Sequence, residues 1–365
     1  MAEIAGKIGA VYAQSGALTT MTAKPIGTGD AATVLFYLQE PVIDCEAVSP
    51  AGSGSILAGD WTSSGATAQT LTADATDEKE GTYCIKNAVT TVAAAQTCLC
   101  LFTITAVQDW HDRARILFWV RCDRAQSAFT SARFEVVDSS NNRSYWNLTF
   151  AAGTWTRVNC LLGTPDGNSG TAAVLTLVKK VQLSFVAADT TVFYQEIDWI
   201  GITPEGIARS ATILVDGVAQ AINAYTLTTS GTLTFATAPA AVAITATYNY
   251  YAVVQTTGFF GYSLNLTGDP IETTDYSDIG IRTYISGCTS WAGSAERHWL
   301  TTETMDGWLA TERIVKFFTD ASSDPQLRYE GWAIVTGDSI SSAVETLVNE
   351  SLSFQGCGII TYVDE

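Results

Sequence analysis

Apolar and polar residues alternate with a period of two along most of this chain, and Gly, Asn, Asp and Pro break the runs. Residues 211–218 alternate about Ile213 and Val215 and turn at Asp216-Gly217. Leu233-Thr234-Phe235, residues 244–250, 328–335 and 347–354 keep the same period. Such a pattern sends successive side chains to opposite faces, so each run is predicted to be a strand with one buried face. One short helix is expected, over residues 304–312. Thr304 would cap it, Asp306 would sit in the first turn, and Trp308 and Leu309 would form its apolar side. The fold class predicted is all-β.

The chain has 365 residues and is 47% hydrophobic, which is enough for more than one buried core. Pattern and charge divide it. Residues 41–205 read as one compact β unit with 17 acidic and 11 basic residues. Residues 1–40 and 206–365 together carry 20 acidic and 8 basic. Glu40-Pro41 and Thr203-Pro204-Glu205-Gly206 mark the two boundaries, so residues 41–205 are predicted to be a domain inserted into a loop of the other. The strand around residues 33–38 and the one at 211–217 are expected to be hairpin partners across that insertion.

The net charge is −18 and the sequence has no cluster of Lys and Arg of the kind a nucleic-acid binder uses, and an anionic bilayer would repel it. No apolar run reaches the ~18 residues of a membrane-spanning helix. The start of the chain, Met1-Ala2-Glu3-Ile4-Ala5-Gly6-Lys7, lacks the pattern of a secretory signal, which points to assembly in a cytoplasm. The eight cysteines (45, 84, 98, 100, 122, 160, 288 and 357) form no C-x-x-C pair, and most lie in strand-like runs, as buried thiols do. No G-x-S-x-G elbow is present, and His111 and His298 have no recognisable catalytic partners, so no enzyme and no catalytic residue is predicted. Gly27-Thr28-Gly29 opens like a nucleotide fingerprint, but the strand after it rejects that reading.

Two resemblances follow from particular phrases. Ile213-Leu214-Val215-Asp216-Gly217-Val218, Gly231-Thr232-Leu233-Thr234-Phe235 and the strand over 244–250 look like a β module of phage virion proteins. Asp269-Pro270-Ile271-Glu272-Thr273, Arg282-Thr283-Tyr284-Ile285-Ser286-Gly287, Gly331-Trp332-Ala333-Ile334-Val335 and Ser351-Leu352-Ser353-Phe354-Gln355-Gly356 follow in an order similar to the tail tube (major tail) proteins of long-tailed phages. The inserted unit resembles the jelly-roll sandwiches of carbohydrate-binding modules, through Glu80-Gly81-Thr82-Tyr83, Leu117-Phe118-Trp119-Val120-Arg121 and Glu196-Ile197-Asp198-Trp199.

These resemblances imply a tail tube β-sandwich or barrel carrying an inserted jelly roll. The subunit would form homo-hexameric rings stacked into a virion tail, beside other tail proteins, with viral DNA passing an acidic lumen unbound. The loop over 269–287 would hold subunit contacts, with Asp269, Ile271, Asp275, Arg282 and Tyr284 as candidates. Host glycan is the implied partner of the insertion, and sugar sites use aromatic faces, so Trp61, Trp110, Tyr145 and Trp146 are candidates. Trp119, Trp155 and Trp199 alternate with apolar neighbours and are expected in the core. No cofactor is required, but modules of this kind often carry structural calcium, for which Glu46, Glu80 and Asp198 are the candidate ligands. The alternative is a glycan-binding tail fibre or baseplate component.

Overall fold

A computed structural model of the chain describes residues 10–43, 45–46, 48, 57, 59–111, 113–256, 258–272, 284–299, 306–320, 327–342 and 347–363. The protein is all-β. It opens with β1 (Ala10–Thr28) and β2 (Leu35–Tyr37). Next come β3 (Glu40–Ile43), β4 (Gly59–Ser64), β5 (Ala68–Asp74), β6 (Cys84–Thr91), β7 (Thr97–Gln108) and β8 (Arg115–Cys122). They are followed by β9 (Phe129–Asp138), β10 (Arg143–Asn147), β11 (Thr156–Leu161), β12 (Gly167–Ser169), β13 (Val178–Ala187) and β14 (Phe193–Ile202). The chain continues through β15 (Gly206–Ile207), β16 (Thr212–Val215), β17 (Val218–Ala219), β18 (Tyr225–Leu227) and β19 (Thr232–Phe235). It ends with β20 (Ala243–Gln255), β21 (Phe259–Glu272), β22 (Tyr284–His298), β23 (Glu312–Asp320), β24 (Leu327–Ser341) and β25 (Asn349–Val363).

Strands β3 to β14 make a jelly-roll-like sandwich of two antiparallel sheets. One runs β12-β10-β9-β13-β7-β4 and the other β11-β8-β14-β6-β5, with β3 also on β14. Alternation decides what lies between them. Phe102, Phe118, Phe134, Val136, Leu183 and Phe185 point inward and are fully buried in one cluster. Phe185 stacks on Phe150 at 5.5 Å and meets Phe129 edge-on at 5.0 Å.

The rest of the chain forms a ten-stranded sheet, β17-β16-β20-β1-β23-β24-β25-β22-β21 with β15 on β20, and a three-stranded sheet, β18-β19-β2. The large sheet curls until β21 comes back against β1. Its inner face holds Val11, Trp291, Val315, Phe317, Val335, Leu352 and Phe354. Gly331 and Gly356 leave the space that the Trp291 indole fills.

The two units are joined by a buried seam. Trp119 on β8 and Trp199 on β14 are 5% and 3% exposed, yet neither faces the sandwich core. They pack instead with Met21, Ile26, Ile207, Tyr248 and Trp332 of the flanking unit. Both rings contact the Arg157 guanidinium, at 5.5 and 5.3 Å. Arg157 donates to the Pro25 carbonyl at 2.8 Å and to Gln39 Oε1 at 2.7 Å. Gln39 in turn donates to the Trp199 carbonyl at 3.1 Å, and the Tyr248 hydroxyl donates to the Gln39 carbonyl at 2.6 Å. The expectation that Trp119 and Trp199 are core residues therefore holds for their burial but not for the core they join. Trp155 is half-buried and packs against the same seam.

Three further expectations change. The helix over 304–312 is reduced to a 3₁₀ turn at Asp306–Trp308; residues 301–305 lie outside the described residues, and β23 has begun by Glu312. Gly307 and the β-branched run after Glu312 favour the strand. β2 pairs with β19, whereas β16 folds back on β17 through Asp216 (φ +52°) and Gly217 (φ +74°). An Asp-Gly pair with both φ positive is a type I′ hairpin turn, and it takes β16 away from β2. The loop over 269–287 is strand at both ends, with Pro270 opposite Ser286 and Glu272 opposite Tyr284.

Candidate functional site: the free face of the sandwich

The seam covers part of the outer face of the β11-β8-β14-β6-β5 sheet. Among the described residues no hydrophobic cluster of the flanking unit covers the outer face of the other sheet, and its side chains follow from the alternation that fills the core. On β9, Phe134 and Val136 point in, so Arg133, Glu135 and Val137 point out. On β13, Leu183 and Phe185 point in, leaving Gln182 and Ser184 outside. On β7 the outer residues are Leu99 and Leu101, and on β10 they are Arg143 and Tyr145.

The register aligns these residues in rows. Leu101, Gln182, Glu135 and Tyr145 lie side by side across four strands, with Gly167 at the end. Gln182 and Glu135 are 3% and 4% exposed, although they are on the face away from the core. Their shielding therefore comes from neighbours on that same face. Gln182 Nε2 donates to Glu135 Oε2 at 2.6 Å, and Arg143 approaches the same oxygen at 3.5 Å. The Arg133 guanidinium lies 3.9 Å from the Tyr145 ring centre. Its Nε is buried and has no hydrogen-bond partner among the described residues. The end of the Tyr145 side chain occupies the space where a Cβ on residue 167 would stand, so glycine there lets the ring lie flat along the row. The result is a row across the sheet with donors (Arg133, Arg143), an acceptor (Glu135), a group that does both (Gln182), and apolar borders (Leu99, Leu101, Tyr145).

Of the four aromatic candidates, Tyr145 alone belongs to this face. Trp61, Trp110 and Trp146 are corrected: they are 3%, 2% and 6% exposed and lie in the sandwich core. Trp61 packs on Phe102 at 5.3 Å, and Trp146 Nε1 donates to the Leu161 carbonyl at 2.9 Å. Trp61 and Trp146 sit at inward positions of β4 and β10 and Trp110 in the connection after β7, and a large apolar surface there is worth more buried than exposed. Sequence reasoning missed Arg133, Glu135, Arg143 and Gln182. The signal available was charged and amide residues at the outward phase of strands β9, β10 and β13.

Glu46, Glu80 and Asp198 do converge, around the turn at residues 79–82, but as its anchors. Asp198 Oδ2 accepts the amides of Lys79 at 2.7 Å and Glu80 at 3.0 Å. Glu46 accepts the Thr82 amide through both oxygens at 2.9 Å, and the Glu80 carboxylate is paired with Lys24. Calcium takes about six to eight oxygens, and a lysine against one of three carboxylates opposes it. Among the described residues no group of three His, Cys, Asp or Glu side chains would hold a metal ion. The residues present do not fit calcium.

Of the contact candidates, Asp269 is exposed on β21, and Ile271 and Tyr284 lie in paired strands. Asp275 and Arg282 lie outside the described residues. The described cysteines form no disulfide with one another and all but Cys357 are buried, and burial pushes Cys98 up to about 11 and Cys122 up to about 12.

No family model matches the chain, and no curated protein matches it. Solved structures similar to it include the family 11 carbohydrate-binding module from Clostridium thermocellum in complex with a β-1,3-1,4-mixed-linked tetrasaccharide. The identity is 11% and the TM-score 0.33, over 45% of this chain and 95% of that one. The family 30 module of a cellulosomal cellulase of the same organism matches at 16% identity and TM-score 0.29, over 47% of this chain and 97% of that one. A β-1,2-glucanase from Parabacteroides distasonis matches at 12% identity and TM-score 0.34, over 76% of this chain and 36% of that one. None of these is a tail tube protein, and that resemblance rests on the sequence phrases.

Proposed function

We propose that this chain is a glycan-binding structural protein, whose free sandwich face takes a sugar chain and whose flanking sheet joins it to copies of itself. The observation that carries the sugar reading is the buried, unpartnered Arg133 Nε beside Tyr145, in register with the Glu135–Gln182 pair. A buried donor without an acceptor costs about 1–3 kcal/mol, and a ligand hydroxyl would recover that energy. Sugars present hydroxyls on their edges and C–H groups on their faces, which suits a polar row bordered by leucine and tyrosine.

The test is a glycan array followed by calorimetric titration. Tyr145→Ala and Gln182→Ala are each expected to weaken binding about 10-fold or more, the equivalent of one to two hydrogen bonds. Trp110→Phe, in the core, should leave binding intact. Wild-type protein that binds no sugar, or binding that survives Tyr145→Ala unchanged, would overturn this part of the reading.

The assembly part is supported by the edge of β21. Fourteen residues long, this strand pairs among the described residues with β22 alone, its other side approaching β1 without hydrogen-bonding to it, and Phe260 and Leu266 on it are 49% and 57% exposed. An unpaired edge of this length is an invitation to another strand, and ring closure satisfies every edge at once. On the tail tube reading the rings are six-fold and stack into a virion tail, with the acidic flanking unit towards the DNA. Negative-stain images of the purified protein are expected to show rings or tubes, and Leu266→Lys should disperse them. Monomers at every concentration would remove the assembly part and leave the sugar part standing.

A further inference from the structure

A cavity of about 210 Å³ opens where the sandwich, the connection after β14 and the flanking sheet meet. Its lining includes Thr203, Glu205, Ser230, Lys316, Arg328 and Tyr362. Lys316 and Arg328 are 8% and 7% exposed, and both turn to one carboxylate, that of the fully buried Glu330. Arg328 Nε donates to Glu330 Oε2 at 3.2 Å, whereas the Lys316 ammonium stands 3.6 Å from the same oxygen. No other acceptor lies on that ammonium among the described residues. The second carboxylate in the lining, Glu205, is already engaged. It binds Arg113 at 2.8 Å and accepts the Val253 amide at 2.7 Å.

Two buried cations thus share one oxygen. An ammonium has three protons to donate, and a buried charge without acceptors is costly. The space in front of it is bordered on one part by hydroxyls (Thr203, Thr228, Ser230, Thr232) and on another by Val253, Phe318 and Val363, and amounts to several water volumes of ~30 Å³. We propose that this cavity is a binding site for a small oxyanion, a carboxylate or a sulfate- or phosphate-type group, held by Lys316 and Arg328 with hydroxyl donors around it. The site is independent of the sugar-binding face. Because Thr203 belongs to the sandwich side and Lys316 to the flanking sheet, a bound anion would also tie the two units together.

The charge state of Lys316 gives the site a pH signature. Burial lowers its pKa to about 8, against the pull of Glu330 and Glu205 and with the push of Arg328 and Arg113. Below pH 8 the ammonium is charged and attracts an anion; as pH rises through 8 it loses its proton and the attraction with it. The test is calorimetric titration of the full chain with sodium sulfate and with sodium acetate, chloride holding the ionic strength constant. Sulfate keeps its charge between pH 6 and 9.5, so any pH dependence there belongs to the protein. At pH 6.5 at least one anion is expected to bind, at least 10-fold more tightly than to Lys316→Met, and to weaken by a similar factor at pH 9.5. Ser230→Leu, which fills the cavity and keeps both cations, should abolish binding too, and serves if Lys316→Met does not fold. Binding equal in wild type and variants, no binding of either anion, or affinity unchanged between pH 6.5 and 9.5 would overturn the site.

Discussion

Replacing Arg297 by alanine is expected to remove about 3–5 kcal/mol of folding free energy, a large part of what a domain of this kind has. Arg297 on β22 and Glu350 on β25 are direct partners across the two strands. Both side chains are buried, 0% and 1% exposed, and Arg297 Nε is bonded to Glu350 Oε2. Removing the guanidinium leaves a carboxylate in an apolar wall, where Glu350 Oε1 already has no hydrogen-bond partner among the described residues. The loss is a measure of that orphaned charge and not of the pair's net worth, because bringing both ions out of water was itself expensive. The double variant Arg297→Met with Glu350→Leu is therefore expected to regain most of the stability or exceed the wild type. Urea unfolding of the three variants decides it. A single variant within about 1 kcal/mol of wild type would mean that the pair is hydrated in solution. The pair also opposes slippage, since a shift of one residue by either strand would turn its charge to the other face and away from its partner.

The sequence pattern announced strands well where one face is buried and the other wet. The run at 244–250 lies within β20, and the Asp216-Gly217 turn is where the alternation placed it. It announced partners poorly. Nothing local distinguishes β19 from β16 as the mate of β2, because strand pairing is decided by which apolar face needs covering, and that is a property of the assembled core. The short helix failed for a related reason. Three or four favourable residues do not sustain a helix when a strong strand follows at once.

The site was half legible. Tyr145 lies on the candidate face and was chosen because aromatic residues on polar strands attract attention, and three tryptophans were chosen with it for the same reason. Size misleads there, since Trp61, Trp110 and Trp146 are the side chains with most to gain from burial. The informative positions were the polar ones at the outward phase, Glu135 and Gln182, whose burial depends on neighbours from three other strands. No single run of sequence shows that. The seam was hidden likewise: Trp119 has the alternation of a core residue, and only the placement of the flanking unit tells which core it serves.

Trp199→Ala is expected to be nearly as costly as the loss of Arg297, about 3–5 kcal/mol, and to change the manner of unfolding as well as its midpoint. Trp199 adopts φ +46°, a conformation that a bulky residue rarely takes, at the point where β14 slips its register between Asp198 and Gly201. That irregularity turns the indole out of the sandwich and into the seam, against Arg157 and beside Met21, Ile207 and Trp332. A strained backbone persists only if its surroundings more than compensate, and here the compensation is the docking of one unit on the other. Alanine keeps the strain and loses the contact. Two separate thermal transitions are then expected in place of one, the sandwich and the flanking sheet melting independently. The same reasoning predicts that the insertion is not a detachable ornament. A chain lacking residues 44–204 loses Trp119, Arg157 and Trp199 together and bares Tyr248 and Trp332, so it is expected to aggregate when expressed. A soluble, folded deletion chain, or a single sharp transition in Trp199→Ala, would show that the seam adds little to either unit.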